Sequence, residues 1–77
     1  MPRAFVLLNV EAGSEDNVLK QLKQIGVVEE AYVSYGVYDL IIKVKADTME
    51  ELKEAVTRKI RTANQVRSTL TLIMMEE

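Results

Sequence analysis

Asp39 stands at the entrance of an apolar run, within Tyr32-Val33-Ser34-Tyr35-Gly36-Val37-Tyr38-Asp39-Leu40-Ile41-Ile42-Lys43-Val44. Strands are depleted in aspartate, because its short side chain competes for backbone hydrogen bonds and its charge resists burial. Here the acid follows a glycine turn and lies close to Tyr35 and Tyr38, so a carboxylate and two phenols gather around one exposed bend. That is either a detail of the turn, an Asx-type bond that steadies the hairpin, or a binding site.

Composition narrows the chemistry. The chain has no histidine and no cysteine, which removes the commonest metal ligands and the commonest general base at neutral pH. No metal, cofactor or disulfide is expected, and catalysis is not expected. Twelve acids against ten bases give a net charge of −2, and the bases are spread along the chain, so there is no basic arm to neutralise phosphates and no direct nucleic-acid partner. The apolar segment that ends at Val10 is too short for a signal sequence or a membrane span. A cytoplasmic protein without a membrane partner is expected. A domain of 77 residues buries only about 60–65% of the surface its unfolded chain exposes, which leaves oligomerisation as the means of supplementing a thin core.

The elements that must position Asp39 follow from periodicity. Arg3 to Val10 is apolar at consecutive positions, as in a strand covered on both faces. Ser14 is the N-cap of a helix with Glu15 and Asp16 in its first turn; Val18, Leu19, Leu22 and Ile25 form its apolar stripe, and Gly26 is expected to stop it in left-handed geometry. Val27 to Tyr35 reads as a second strand and Val37 to Ala46 as a third, with Gly36 taking positive φ in the bend between them. On the third strand Tyr38, Leu40, Ile42 and Val44 make the core side, and Val37, Asp39, Ile41, Lys43 and Lys45 the other. Thr48 and Glu51 fit a capping box for the second helix, with Asp47 as an alternative cap; its stripe is Met49, Leu52, Val56 and Ile60, with Glu54 and Arg58 as an i,i+4 pair. Val66 to Met75 is the fourth strand, with Val66, Ser68, Leu70, Leu72 and Met74 opposing Arg67, Thr69, Thr71, Ile73 and Met75.

Strand, helix, strand, strand, helix, strand is the ferredoxin-like βαββαβ order of an α+β domain: a four-stranded antiparallel sheet with both helices on one face. Right-handed crossovers make the first and third strands central. Both are apolar on two sides, yet the helices cover one. The other face, containing some of Phe5, Leu7, Val37, Ile41 and Ile73, is expected to meet the same face of a second copy across a two-fold axis, giving a dimeric α/β barrel or sandwich.

Val28 with Ala31-Tyr32, Gly36-Val37-Tyr38-Asp39-Leu40-Ile41-Ile42-Lys43-Val44, Ala46-Asp47-Thr48-Met49-Glu50-Glu51-Leu52 and Val66-Arg67-Ser68-Thr69-Leu70-Thr71-Leu72 carry a resemblance to the effector-binding (RAM) domain of the Lrp/AsnC regulators. It runs from Phe5 to Met75, within one domain spanning residues 1–77. The family's regulators have an amino-terminal helix-turn-helix DNA-binding domain; this chain has no such segment and resembles a stand-alone RAM protein. Before the last strand, where such domains often place a glycine, it has Ala63-Asn64-Gln65, and Asn64 tolerates left-handed geometry.

The resemblance implies a homodimer that assembles into a ring, an octamer or similar, with a small amino acid or related metabolite bound between dimers. The implied ligand-binding residues are Ser34, Gly36, Val37, Tyr38, Asp39, Thr69 and Thr71. Asp39 would accept from the ammonium, while a backbone N–H at the glycine turn and the hydroxyls of Ser34, Thr69 or Thr71 would serve the carboxylate. Co-assembly with full-length Lrp/AsnC regulators is a further expectation. The competing readings are a small dimeric α/β barrel enzyme of the monooxygenase-like type and an ACT-like amino-acid-binding domain. At each residue there is also a plainer role: packing for the three tyrosines, β-propensity for Thr69 and Thr71, and gap-filling for Met74 and Met75.

Overall fold

A computed structural model of the protein describes residues 2–74. The elements follow in the expected order: β1 (Arg3–Val10), α1 (Glu15–Lys23), β2 (Val28–Val33), β3 (Leu40–Lys45), α2 (Met49–Ala55) with a π-helical continuation (Val56–Ile60), and β4 (Val66–Met74). The expectations for Met75 fall outside the described residues. One antiparallel sheet has the strand order β2-β3-β1-β4, which puts the two strands that are apolar on both sides at its centre.

Register fixes the two faces. Ala4, Val6 and Leu8 lie opposite Val44, Ile42 and Leu40, and together with Val10 they form one buried cluster with Val18 and Leu22 of α1 and Leu52, Val56 and Ile60 of the second helix. Each large side chain among them contributes roughly 1.5–3 kcal/mol by leaving water. The second helix places Leu52, Val56 and Ile60 four residues apart, a spacing that drifts around a helix of 3.6 residues per turn. Past Ala55 the bonding widens to i→i+5, with the Arg61 N–H donating to the Val56 carbonyl at 3.0 Å, and the wider turn keeps Val56 and Ile60 on the sheet. Ala55 belongs to this stripe and Met49 does not: Met49, in the first turn, is exposed. Thr48 caps the helix as expected, its hydroxyl accepting from the Glu51 N–H at 3.1 Å.

Several local expectations are corrected. β3 begins at Leu40, because the Ser34 N–H donates to the Asp39 carbonyl at 2.8 Å and closes a loop that holds Val37 and Tyr38 outside the ladder. Tyr38 is therefore no part of the strand's core side. α1 ends at Lys23 with Gln24 still right-handed, its carbonyls satisfied by the tighter i→i+3 bonds of Gln24 and Ile25, and Gly26 does not take positive φ. Ser14 is the N-cap residue, but its buried hydroxyl donates back to the Glu11 carbonyl instead of accepting from the helix. The left-handed residue before β4 is Gln65, at φ 71°, rather than Asn64. Its strain is offset locally: the Glu11 N–H donates to the Gln65 carbonyl at 2.9 Å, and the Asn17 amide to its side chain at 2.7 Å.

Two bulges break strand parity. Glu29 is extra in β2, between the pairs Val28↔Val44 and Glu30↔Lys43, and Arg67 is extra in β4, between Val10↔Val66 and Asn9↔Ser68. Val66 thus joins the core side with Thr69, Thr71 and Ile73, which face Leu8, Val6 and Ala4. Ile73 leaves the open face to which it was assigned, and Val37 sits in the loop. The open face instead carries Phe5, Leu7, Ile41, Tyr32, Leu70 and Leu72, placed together by the pairs Leu7↔Ile41, Tyr32↔Ile41, Leu7↔Leu70 and Phe5↔Leu72. Leu70 and Leu72 are 43% and 48% exposed. At the β2 edge of this face Lys43 and Glu30 approach to 4.0 Å. Glu30, first as a hydrogen-bond acceptor and then as a negative charge, raises the Tyr32 phenol above its usual pKa.

Left-handed geometry at a residue with a Cβ costs about 1–2 kcal/mol, which Gly at position 65 would avoid. Gln65→Gly is expected to exceed Gln65→Ala in stability by about 1 kcal/mol, read from urea midpoints; equal midpoints would contradict the strain.

Candidate functional site

The site is built where β1, β2 and β3 meet. Leu8 and Val10 turn their backbone groups toward β3, which is only beginning there. The Asp39 N–H donates to the Leu8 carbonyl at 2.9 Å, and the Asp39 carbonyl accepts from Ser34 of the returning loop. Past this point β3 offers Val10 no further carbonyl. The Asp39 carboxylate supplies the acceptor instead: its Oδ2 takes the Val10 N–H at 2.9 Å. The acid is therefore a hub for three segments of chain, and its Oδ1 makes no hydrogen bond among the described residues. Gly36, at φ 144°, gives the loop the turn it needs before the chain returns.

Two clefts meet at Asp39. One, of about 350 Å³, lies between the hairpin and the start of α1 and is lined by Glu15, Asp16, Val33, Ser34, Tyr35 and Asp39. The other, of about 480 Å³, is lined by Asn9, Val10, Asp39, Arg67 and Ser68. Across the second, the Asn9 side-chain amide donates to the Ser68 hydroxyl at 3.3 Å. The first cleft is acidic and the second carries both signs of charge, so the pair can discriminate the two ends of a dipolar ligand.

Of the residues singled out in the sequence, Ser34 and Asp39 share a cleft. Gly36 and Val37 form the exposed hairpin tip with Tyr35, and Tyr38 is half-buried between that tip and Asp39. Thr69 and Thr71 are not brought to this place within one chain: they lie on the helix-covered side of β4, and Thr71 lines a separate groove of about 180 Å³ with Leu52, Lys53, Val56, Thr57 and Ile73. Sequence reasoning passed over Asn9, Arg67 and Ser68. A bulge leaves no mark in residue types, so its one trace was a cation just inside a strand. Among the described residues, no group of three or more Asp and Glu side chains could hold a metal ion, and no helix is long and apolar enough to cross a membrane.

Residues 3–77 match the family described as the Lrp/AsnC ligand binding domain. The chain belongs to that family. The regulatory protein AsnC of Haemophilus influenzae is 36% identical over 61 residues, covering 79% of this chain and 41% of that protein. The Lrp/AsnC domain thus spans well under half the length of this curated relative. The hypothetical protein PHS023 from Pyrococcus horikoshii has a crystal structure that is 43% identical with a TM-score of 0.93, and the match covers 100% of this chain and 93% of that one. The structure of Escherichia coli AsnC is 27% identical with a TM-score of 0.89, covering 99% of this chain and 52% of that one. The Lrp/AsnC fold is the ferredoxin-like βαββαβ domain described above, here a regulatory ligand-binding domain of the kind found in transcription regulators.

Asp39→Ala leaves the Val10 N–H without an acceptor and is expected to cost about 1–3 kcal/mol. Asp39→Asn keeps an acceptor oxygen and should retain most of that stability. Urea denaturation of both variants reads the difference; an alanine variant as stable as the asparagine variant would contradict the structural bond.

Proposed function

We infer that this chain is an amino-acid-responsive regulatory module that works as an oligomer. The observation that carries the sensing role is the Asp39 carboxylate, held on one oxygen by Val10 and open on the other where two clefts meet. An α-amino acid brings an ammonium suited to that oxygen, since hydrogen bonds between ionised partners are roughly twice as strong as neutral ones. The hairpin from Ser34 to Tyr38, with its backbone N–H groups around Gly36, flanks the ligand. Thr69 and Thr71 enter the site as residues contributed by a neighbouring subunit.

The assembly role rests on the open face. Phe5, Leu7, Ile41, Leu70 and Leu72 form a contiguous apolar surface, and a domain this small gains most by covering it with an identical surface across a two-fold axis. Such dimers close into a ring with the Asp39 ends at the dimer boundaries. The same face would accept the equivalent domain of a full-length Lrp/AsnC regulator, giving the chain a route to modulate transcription. The relatives are named as regulatory proteins, which favours this role over an enzyme of the barrel type or an ACT-like domain.

Calorimetric titration with the twenty amino acids should find at least one ligand, bound about tenfold or more weakly by Asp39→Asn; no heat with any of them would end the sensor reading. Light scattering should report a species larger than a dimer and a smaller one for Leu72→Asp. A wild-type monomer at micromolar concentration would contradict the assembly.

A further inference from the structure

The mixed-charge cleft beside Asp39 exists because of the β4 bulge. With Asn9 paired to Ser68 and Val10 to Val66, Arg67 is the extra residue, and bulges characteristically re-aim a side chain next to a site. Arg67 consequently lines one cleft with Asp39, Asn9 and Ser68. Its charge is not already satisfied there. Lys43 and Arg58 have carboxylates at 4.0 Å, from Glu30 and Glu54, whereas Arg67 forms no ion pair among the described residues, with Asp39 or any other acid. Two opposite charges thus face the same cleft without neutralising each other, and Asp39 keeps a carboxylate oxygen without a hydrogen bond among the described residues.

We propose that Arg67 receives the carboxylate of the ligand whose ammonium Asp39 receives, so that the site selects free α-amino acids over amines without a carboxylate and acids without an ammonium. This rests on the amino-acid reading above and adds to it the residue that fixes ligand polarity. A guanidinium suits the task because its planar donors match both carboxylate oxygens at once, and the Ser68 hydroxyl beside it offers a further donor. Orientation follows from the flanks of Asp39. Glu15 and Asp16 line the cleft on one side and repel a carboxylate; Arg67 lines the cleft on the other and attracts it. The bulge therefore gives the site a positive end that a regular strand would have turned to the helix-covered side.

The test compares matched probes by calorimetry: each of the twenty amino acids that binds the wild type, and its α-carboxamide, which keeps the ammonium and lacks the carboxylate. The wild type should prefer the acid by about tenfold or more. Arg67→Ala should weaken the acid by a similar factor and leave the amide unchanged, abolishing the preference, and Arg67→Lys should restore part of it. Arg67 is exposed, and circular dichroism checks that both variants keep the fold. If the wild type binds amino acids but Arg67→Ala keeps the preference, or loses acid and amide alike, the assignment is wrong while the sensor reading stands. If the wild type binds no amino acid, both fall.

Discussion

The hydrogen bond from the Val10 N–H to the Asp39 carboxylate, at 2.9 Å, is the constraint on which the upper end of the sheet depends. A central strand must find a partner for every backbone group it buries, and β3 starts two residues too late to serve Val10. Using a side chain as that partner lets the chain turn from β2 into β3 through a loop rather than a tight hairpin. It also holds a carboxylate at the sheet end with one oxygen committed and the other without a hydrogen bond among the described residues. In the proposed reading the structural bond and the binding group are the same side chain, so the bond to Val10 would also orient the oxygen offered to a ligand.

The second constraint is the two-sided sheet. One face is filled by α1, α2 and the π-helical continuation, whose widened turn keeps Val56 and Ile60 directed at β1 and β3. The other face is apolar along its centre and charged at the β2 edge, where Lys43 and Glu30 meet. Such a face is a liability in an isolated chain and an asset in an assembly. Because Asp39 stands at the end of this sheet, a second copy covering the face or abutting its end in the proposed assembly would alter the surroundings of a ligand bound there. That proximity would link occupancy to assembly in the proposed function.

Much of this was legible in the residues. Alternation and capping gave element order, the central strands and the core side chains, down to the Thr48 cap and the core positions Leu40, Ile42 and Val44. What escaped were features set by single backbone deviations. Ile73 lies on the helix-covered side because the bulge at Arg67 inverts the alternation of β4 from Ser68 onward. Gln65 took the left-handed position from Asn64 because hydrogen bonds from Glu11 and Asn17 outweigh intrinsic preference there. At the candidate site Asp39 was conspicuous, as a charge in an apolar run always is. Arg67 was not, because its placement arises from a bulge that residue types do not encode.

A crystal structure of the chain grown with the amino acid that binds it would be decisive for the role of Asp39. Asp39 should keep the Val10 N–H on one carboxylate oxygen while the ligand ammonium sits about 2.7–3.1 Å from the other, with the ligand carboxylate turned toward Arg67. A ligand bound away from Asp39, or an Asp39 that releases Val10 to reach it, would contradict the account.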